Sequence, residues 1–139
     1  MIILTTSQRD DMIAALRQAY PKEGCGLVVG HMDGDAWVVD DLVASENISP
    51  TPLQNFEVDM RLRLQLQREL RGSGQAIIGH YHSHPNGKAG PSATDLKSAW
   101  EDNMVWIIVA VTPTQESFSA HCYSAASNSF SAISIQVRD

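Results

Sequence analysis

Apolar positions along the chain recur with two periods, near four and near two, and the period changes at glycines and prolines. Ile2–Leu4 is a short apolar run that predicts a first strand. Met12, Ile13, Leu16 and Tyr20 form one stripe at helical spacing. Ser7 precedes them and Asp10 follows it by three residues, which predicts the N-cap and capping box of that helix. Pro21 ends the helix, because the residue before a proline avoids the α region. Gly26–His31 and Ala36–Val43 read as strands joined near Asp33-Gly34, where glycine accepts the positive φ of a tight turn. Asn47–Leu53 contains Pro50 and Pro52 and reads as loop. Leu62, Leu66 and Leu70 recur every four residues and predict a helix over Asp59–Arg71, stopped by Gly72-Ser73-Gly74. Gln75–Tyr81 is a strand that runs into a histidine cluster, and Pro85–Pro91 is a loop with two glycines. A helix is expected around Ala93–Asp102. Met104–Thr112 reads as a strand buried on both faces, and Ser117–Tyr123 and Phe130–Val137 as two closing strands.

The order is helix, two strands, helix, strand, helix, three strands. It predicts an α/β fold in which a mixed β-sheet is flanked by helices in three layers. No repeat or linker interrupts the pattern over 139 residues, so a single domain over residues 1–139 is expected. With 43% hydrophobic and 19% charged residues, the chain is not of a disordered type. The net charge of −6 excludes a general nucleic-acid surface, which needs clustered Lys and Arg. Arg61, Arg63, Arg68 and Arg71 do lie together, and the helical spacing makes them a solvated face, with substrate docking the weaker reading. The apolar runs are too short for a membrane span, and the N-terminus lacks the pattern of a secretory signal. Cys25 and Cys122 sit in apolar surroundings and read as buried free thiols of a reducing compartment, which points to the cytoplasm.

The chemistry concentrates in Gly79-His80-Tyr81-His82-Ser83-His84-Pro85. In an extended chain, residues i and i+2 point the same way, so His82 and His84 can present two imidazoles to one cation. Imidazole suits zinc, and a catalytic zinc site uses three protein ligands and a water. His80 shares the parity of the pair, and Asp95 stands just past a loop that can fold back. Periodicity does not choose between them. Ser92 and Asp95 also make a plain capping box, a reading compatible with a site at that helix start.

His82-Ser83-His84-Pro85, with seven residues between His84 and Ser92 and two between Ser92 and Asp95, resembles the motif of the JAMM metallopeptidases. These are the zinc-dependent members of the MPN (Mov34/PAD-1) superfamily. Their upstream glutamate finds a match in Pro21-Lys22-Glu23-Gly24-Cys25-Gly26, and the order of elements agrees over nearly the whole chain. The resemblance implies the JAMM/MPN architecture, which is cytidine-deaminase-like. It implies one zinc ion per chain, held by His82, His84 and Asp95. Glu23 becomes the general base that activates a water, and Ser92 a donor to the developing oxyanion. Ser83 becomes a neighbour that steadies the ligand segment, and His80 stays outside the ligand set.

The compact length is similar to the stand-alone prokaryotic members. The implied reaction is hydrolysis of the bond after the Gly-Gly tail of a small β-grasp protein, either ubiquitin-like or a sulfur carrier. Some superfamily members have lost the metal and serve as scaffolds, and the full set of five residues speaks against that alternative here. A zinc nucleobase deaminase would need His-x-Glu and Pro-Cys-x-x-Cys, which the sequence lacks.

Overall fold

The computed structural model describes residues 1–139. Its elements in chain order are β1 (Ile2–Thr5), α1 (Thr6–Ala19), β2 (Cys25–Asp33), β3 (Ala36–Ser45), α2 (Met60–Glu69), β4 (Ala76–His84), α3 (Ala93–Ser98), β5 (Val105–Val111), β6 (Glu116–Ser124), β7 (Ser129–Ile133) and β8 (Ile135–Arg138). The strands form one eight-stranded mixed sheet in the order β7-β6-β5-β4-β2-β3-β1-β8. β4 pairs antiparallel with β2 and parallel with β5. β7 and β8 lie at opposite edges of the sheet, yet only Ser134 separates them in the chain. From Ile133 to Ile135 the chain spans at most about 7 Å. The sheet therefore curls until its two edges nearly meet.

Several expectations move. The N-cap of α1 is Thr5, not Ser7, and the capping box pairs Thr5 with Gln8 rather than Ser7 with Asp10. The Gln8 side chain reaches back to the Thr5 N–H at 2.9 Å, which the shorter Asp10 does not do. Tyr20 has ψ 135°, the extended conformation imposed by Pro21. α3 is six residues long and stops at Ser98, short of Asp102, because Ala99 turns extended. The expected closing strand Phe130–Val137 is two strands. Ser134 breaks the ladder by turning its carbonyl to the Ile2 N–H at 2.9 Å. Cys122 is only partly buried, unlike Cys25. Arg63 is not a solvated side chain but a half-buried one, paired with Glu101 at 2.6 Å. No helix is long and apolar enough to cross a membrane.

The sheet is packed on both faces. On one face Met12 and Leu16 of α1 join Ile2, Leu4, Val28, Tyr81 and the odd-numbered β5 residues Val105, Ile107, Val109 and Val111. On the other, Trp106 packs with Met104 and Tyr123, against Phe56, Leu96 and Phe130. This second face carries His80, His82 and His84 of β4, with Ile77. The register places His80 opposite Trp106, His82 opposite Ile108 and His84 opposite Ala110.

Gly79 makes the close contact of β4 and β5 possible. A methyl group there would strike the Val105 carbonyl. Gly79→Ala is therefore expected to cost about 1–3 kcal/mol by overpacking. The readout is a lower denaturant midpoint with an unchanged m-value.

Candidate metal centre

β4 runs on past Tyr81 through all three histidines to His84, so the histidine-bearing segment is regular strand rather than loop. The β2–β4 register pairs Cys25 with His82, and carried two residues further it sets Glu23 across from His84. The intervening pair is closed by Ser83, whose N–H donates to the Gly24 carbonyl at 3.0 Å. Its hydroxyl accepts from the Gly24 N–H at 2.9 Å. Ser83 thus locks the strand start that bears Glu23 to the strand end that bears His84.

Asp95 arrives from the first turn of α3. Ser92 caps this helix: its hydroxyl accepts from the Asp95 N–H at 3.0 Å, and its own N–H donates to Asp95 Oδ2 at 2.9 Å. The capping box and the site share both residues, because the box turns the Asp95 carboxylate toward the histidines. Its Oδ2 lies 3.3 Å from His82 Nε2 and 3.0 Å from His84 Nε2, and the two nitrogens are 3.2 Å apart.

This triangle answers whether a zinc ion fits. Zinc binds nitrogen and oxygen at about 2.0–2.2 Å in a tetrahedron, whose edges are then about 3.3–3.6 Å. Edges of 3.0–3.3 Å come close to that figure without rearrangement. His84 directs Nδ1 at the Lys88 carbonyl at 3.0 Å, which fixes the tautomer that leaves the Nε2 lone pair facing inward. Glu23 stands further off, its carboxylate and the two histidine nitrogens lying within 4.8 Å of one another. That set of three is also metal-like, but the Asp95 triangle is tighter and completes the tetrahedral spacing.

His82 is fully buried and its ring is stacked on Phe56, with centroids 4.1 Å apart and planes at 17°. His80 turns away into an aromatic niche, 4.2 Å from Trp106 between centroids. Burial pushes the His80 imidazole down to about 3, so it stays neutral. Burial also lowers His82. At His84 burial works against the charged form, but Asp95 and the Lys88 carbonyl outweigh it and raise the imidazole. Burial would raise Asp95, yet its bonds to His82 and His84 hold it well below the usual carboxylate range. Glu23 is 6% exposed, and desolvation lifts it to about 7, against the pull of His84 and with a further push from Asp95. A carboxylate poised near neutrality can both accept and return a proton. Cys25 is pushed up to about 12 by burial and is no nucleophile at neutral pH.

Glu23, His84 and Ser92 open into a polar cleft of about 500 Å³, walled by Leu53 and Gln54 on one side and Pro85–Pro91 on the other. Glu57 is exposed and lines a different, apolar hollow beyond Phe56, and Glu46 is exposed as well. Neither carboxylate lines the polar cleft with Glu23 and His84. The sequence reading passed over Asn47, Phe56 and the Lys88 carbonyl. Asn47 and Phe56 reach Glu23 and His82 from a distant segment, and the Lys88 carbonyl meets His84 through a turn four residues on that no motif marks.

The family model for prokaryotic homologs of the JAB domain matches residues 5–123. A probable TtuB-protein conjugate cleaving protease of Thermus thermophilus is 37% identical over 84 residues, 60% of this chain. That match spans 53% of the relative, about half its length. A desampylase of Haloferax volcanii is 29% identical over 109 residues, covering 76% of this chain and 77% of the relative. Among solved structures, the solution structure of a protein from Desulfitobacterium hafniense superposes with a TM-score of 0.88 at 30% identity, covering 100% of this chain and 94% of that one.

Proposed function

The chain belongs to the family of prokaryotic homologs of the JAB domain, and from that membership we propose a zinc metallopeptidase, carried by a single 1–139 domain. Its substrate is a small β-grasp protein, ubiquitin-like or a sulfur carrier. The bond hydrolysed is the one that follows the C-terminal Gly-Gly tail. The names of the Thermus and Haloferax relatives support the peptidase reading. The observation that carries it is the buried triangle of His82, His84 and Asp95 beside the raised carboxyl of Glu23. The two free cysteines suit the reducing cytoplasm.

His82, His84 and Asp95 would hold the ion, which supplies a Lewis acid that polarises a carbonyl and brings the pKa of water toward about 7. Glu23 accepts a proton from the attacking water and returns it to the amine as the C–N bond breaks. Ser92 Oγ accepts from Asp95 N and so keeps its own proton free to donate to the oxyanion. Ser83 holds β2 and β4 in the register that keeps Glu23 across from His84. A glycine-glycine tail is thin enough to lie extended in the cleft and bring its last carbonyl to this recess.

Elemental analysis of the purified protein is expected to return one zinc per chain. A β-grasp protein extended past Gly-Gly should be cut after the second glycine, with the products read by mass spectrometry. A chelator should stop the cut and added zinc restore it. The metal-free chain should stay folded, because its core does not depend on the ion. A chain that binds no zinc even when it is supplied is a scaffold instead.

Ser92→Ala is expected to act twice. Loss of the cap costs about 1 kcal/mol of stability. Loss of the donor lowers kcat by about 10²–10³ with KM little changed. Thermal unfolding and steady-state kinetics separate the two effects.

A further inference from the structure

The carboxylate of Glu23 is only as well placed as its backbone, and that backbone is held by a loop rather than by the sheet alone. Its N–H donates to the Pro52 carbonyl at 2.7 Å, and its carbonyl accepts from Asn47 Nδ2 at 2.8 Å. Both acceptor and donor belong to the segment 47–58, which leaves β3, passes along the cleft and returns before α2. The segment is closed at its neck by the bridge between Asn47 and Val58, and by the Ile48 N–H to the Glu57 carbonyl at 3.0 Å. It supplies Leu53 and Gln54 to the cleft wall and Phe56 to the face of His82.

Asn47 sits at the crossing of these contacts. Nδ2 donates to the Glu23 carbonyl and to the Asn55 carbonyl, the latter at 3.0 Å. Oδ1 accepts from the N–H groups of Ser49 and Glu57, both at 3.0 Å. All four hydrogen-bonding positions of the carboxamide are used. Only an amide offers two donors and two acceptors on one short stem: aspartate lacks the donors, and serine has a single one. Three of the four bonds fold the loop, and the fourth fastens that loop to Glu23.

We propose that Asn47 is a positioning residue of this site: its carboxamide ties the Glu23 backbone to the 47–58 loop and thereby sets the reach of the Glu23 carboxylate. The inference rests on Glu23 being the general base. It assigns a purpose to the loop's polar residues beyond closing the chain. The wall that meets the substrate and the group that moves the proton are joined through the Pro52 carbonyl and the Asn47 side chain.

The chemistry of the four bonds supplies the test. Asn47→Asp keeps both acceptors and so keeps the Ser49 and Glu57 bonds. It loses both donors, and its charge repels the Glu23 carbonyl. Asn55→Ala is the control. It removes a bond internal to the loop, from Asn55 Nδ2 to Thr51 Oγ1 at 2.7 Å, and leaves the tie to Glu23 in place. Both variants are assayed, with Glu23→Gln beside them, on a β-grasp protein extended past Gly-Gly, together with zinc content and unfolding temperature. Asn47→Asp is expected to hold one zinc and to lose about 10–100-fold in kcat, with KM within about twofold of the wild type. Asn55→Ala is expected to keep the wild-type kcat even if its unfolding temperature falls. An Asn47→Asp protein with the wild-type kcat overturns the proposal, as does an equal kcat loss in Asn55→Ala. So does a kcat loss that only tracks loss of zinc. If Asn47→Asp does not fold, Asn47→Ser replaces it under the same outcomes. Glu23→Gln separates the two levels: full activity there removes the base assignment itself, whereas an inactive Glu23→Gln beside a fully active Asn47→Asp removes only the tie.

Discussion

Glu23→Gln is expected to keep its fold and its zinc and to lose turnover by about 10²–10⁴-fold. Glutamine has nearly the shape of glutamate and leaves the backbone bonds to Pro52 and Asn47 in place. What it lacks is a basic oxygen that accepts a proton near neutral pH. The raised carboxyl, lifted to about 7 by burial, makes the loss specific to proton transfer rather than to binding. The measurement is kcat on a β-grasp protein extended past Gly-Gly, with zinc content determined on the same sample. If the glutamine protein, fully loaded with zinc, cut at the wild-type rate, Glu23 would not be the base. Glu46 and Glu57 are poor substitutes, since both are exposed and outside the cleft.

The second large effect is on the metal. Asp95→Ala removes one corner of the triangle, so zinc affinity should fall by more than the roughly 10–100-fold that follows loss of an outer partner. It also deprives the Ser92 N–H of its acceptor and frays the start of α3. His80→Ala should retain zinc near full occupancy, because His80 faces Trp106 and Phe56 rather than the triangle. The paired measurement is zinc content after dialysis against a weak chelator. Full zinc in Asp95→Ala, with loss in His80→Ala, would replace the aspartate by a third imidazole and undo the ligand set.

The legibility of the site varied with the distance along the chain over which its contacts form. His82 and His84 were readable as a pair because strand alternation is a two-residue property. Ser92 and Asp95 were readable as a capping box because helix starts are a three-residue property, and the structure adds that the box aims Asp95 at the histidines. His80 has the same parity as the pair, and parity could not remove it from the ligand set. In the structure its ring packs against Trp106, supplied by β5 across the sheet, rather than against Asp95. Glu23 carried no local mark and was reached only through the family resemblance. Its place depends on the register of β2 against β4, between residues 59 positions apart at the Gly24–Ser83 pair.

The fold divides in the same way. The chain's hydrophobic periods determined which stretches become strand and helix, the Asp33-Gly34 turn and the two-faced burial of β5, since each follows from nearest neighbours and from side-chain direction. They did not determine the cap of α1, where the long Gln8 side chain won over Asp10, or the break at Ser134, through which Ile133, Ile135 and Val137 keep their alternation. The curl of the sheet, the meeting of Glu23 with His84 and the tie of Asn47 to Glu23 belong to the tertiary structure alone. Register and closure minimise the free energy of the whole chain, and a buried carboxylate, imidazole or carboxamide settles where its partners from other segments satisfy it.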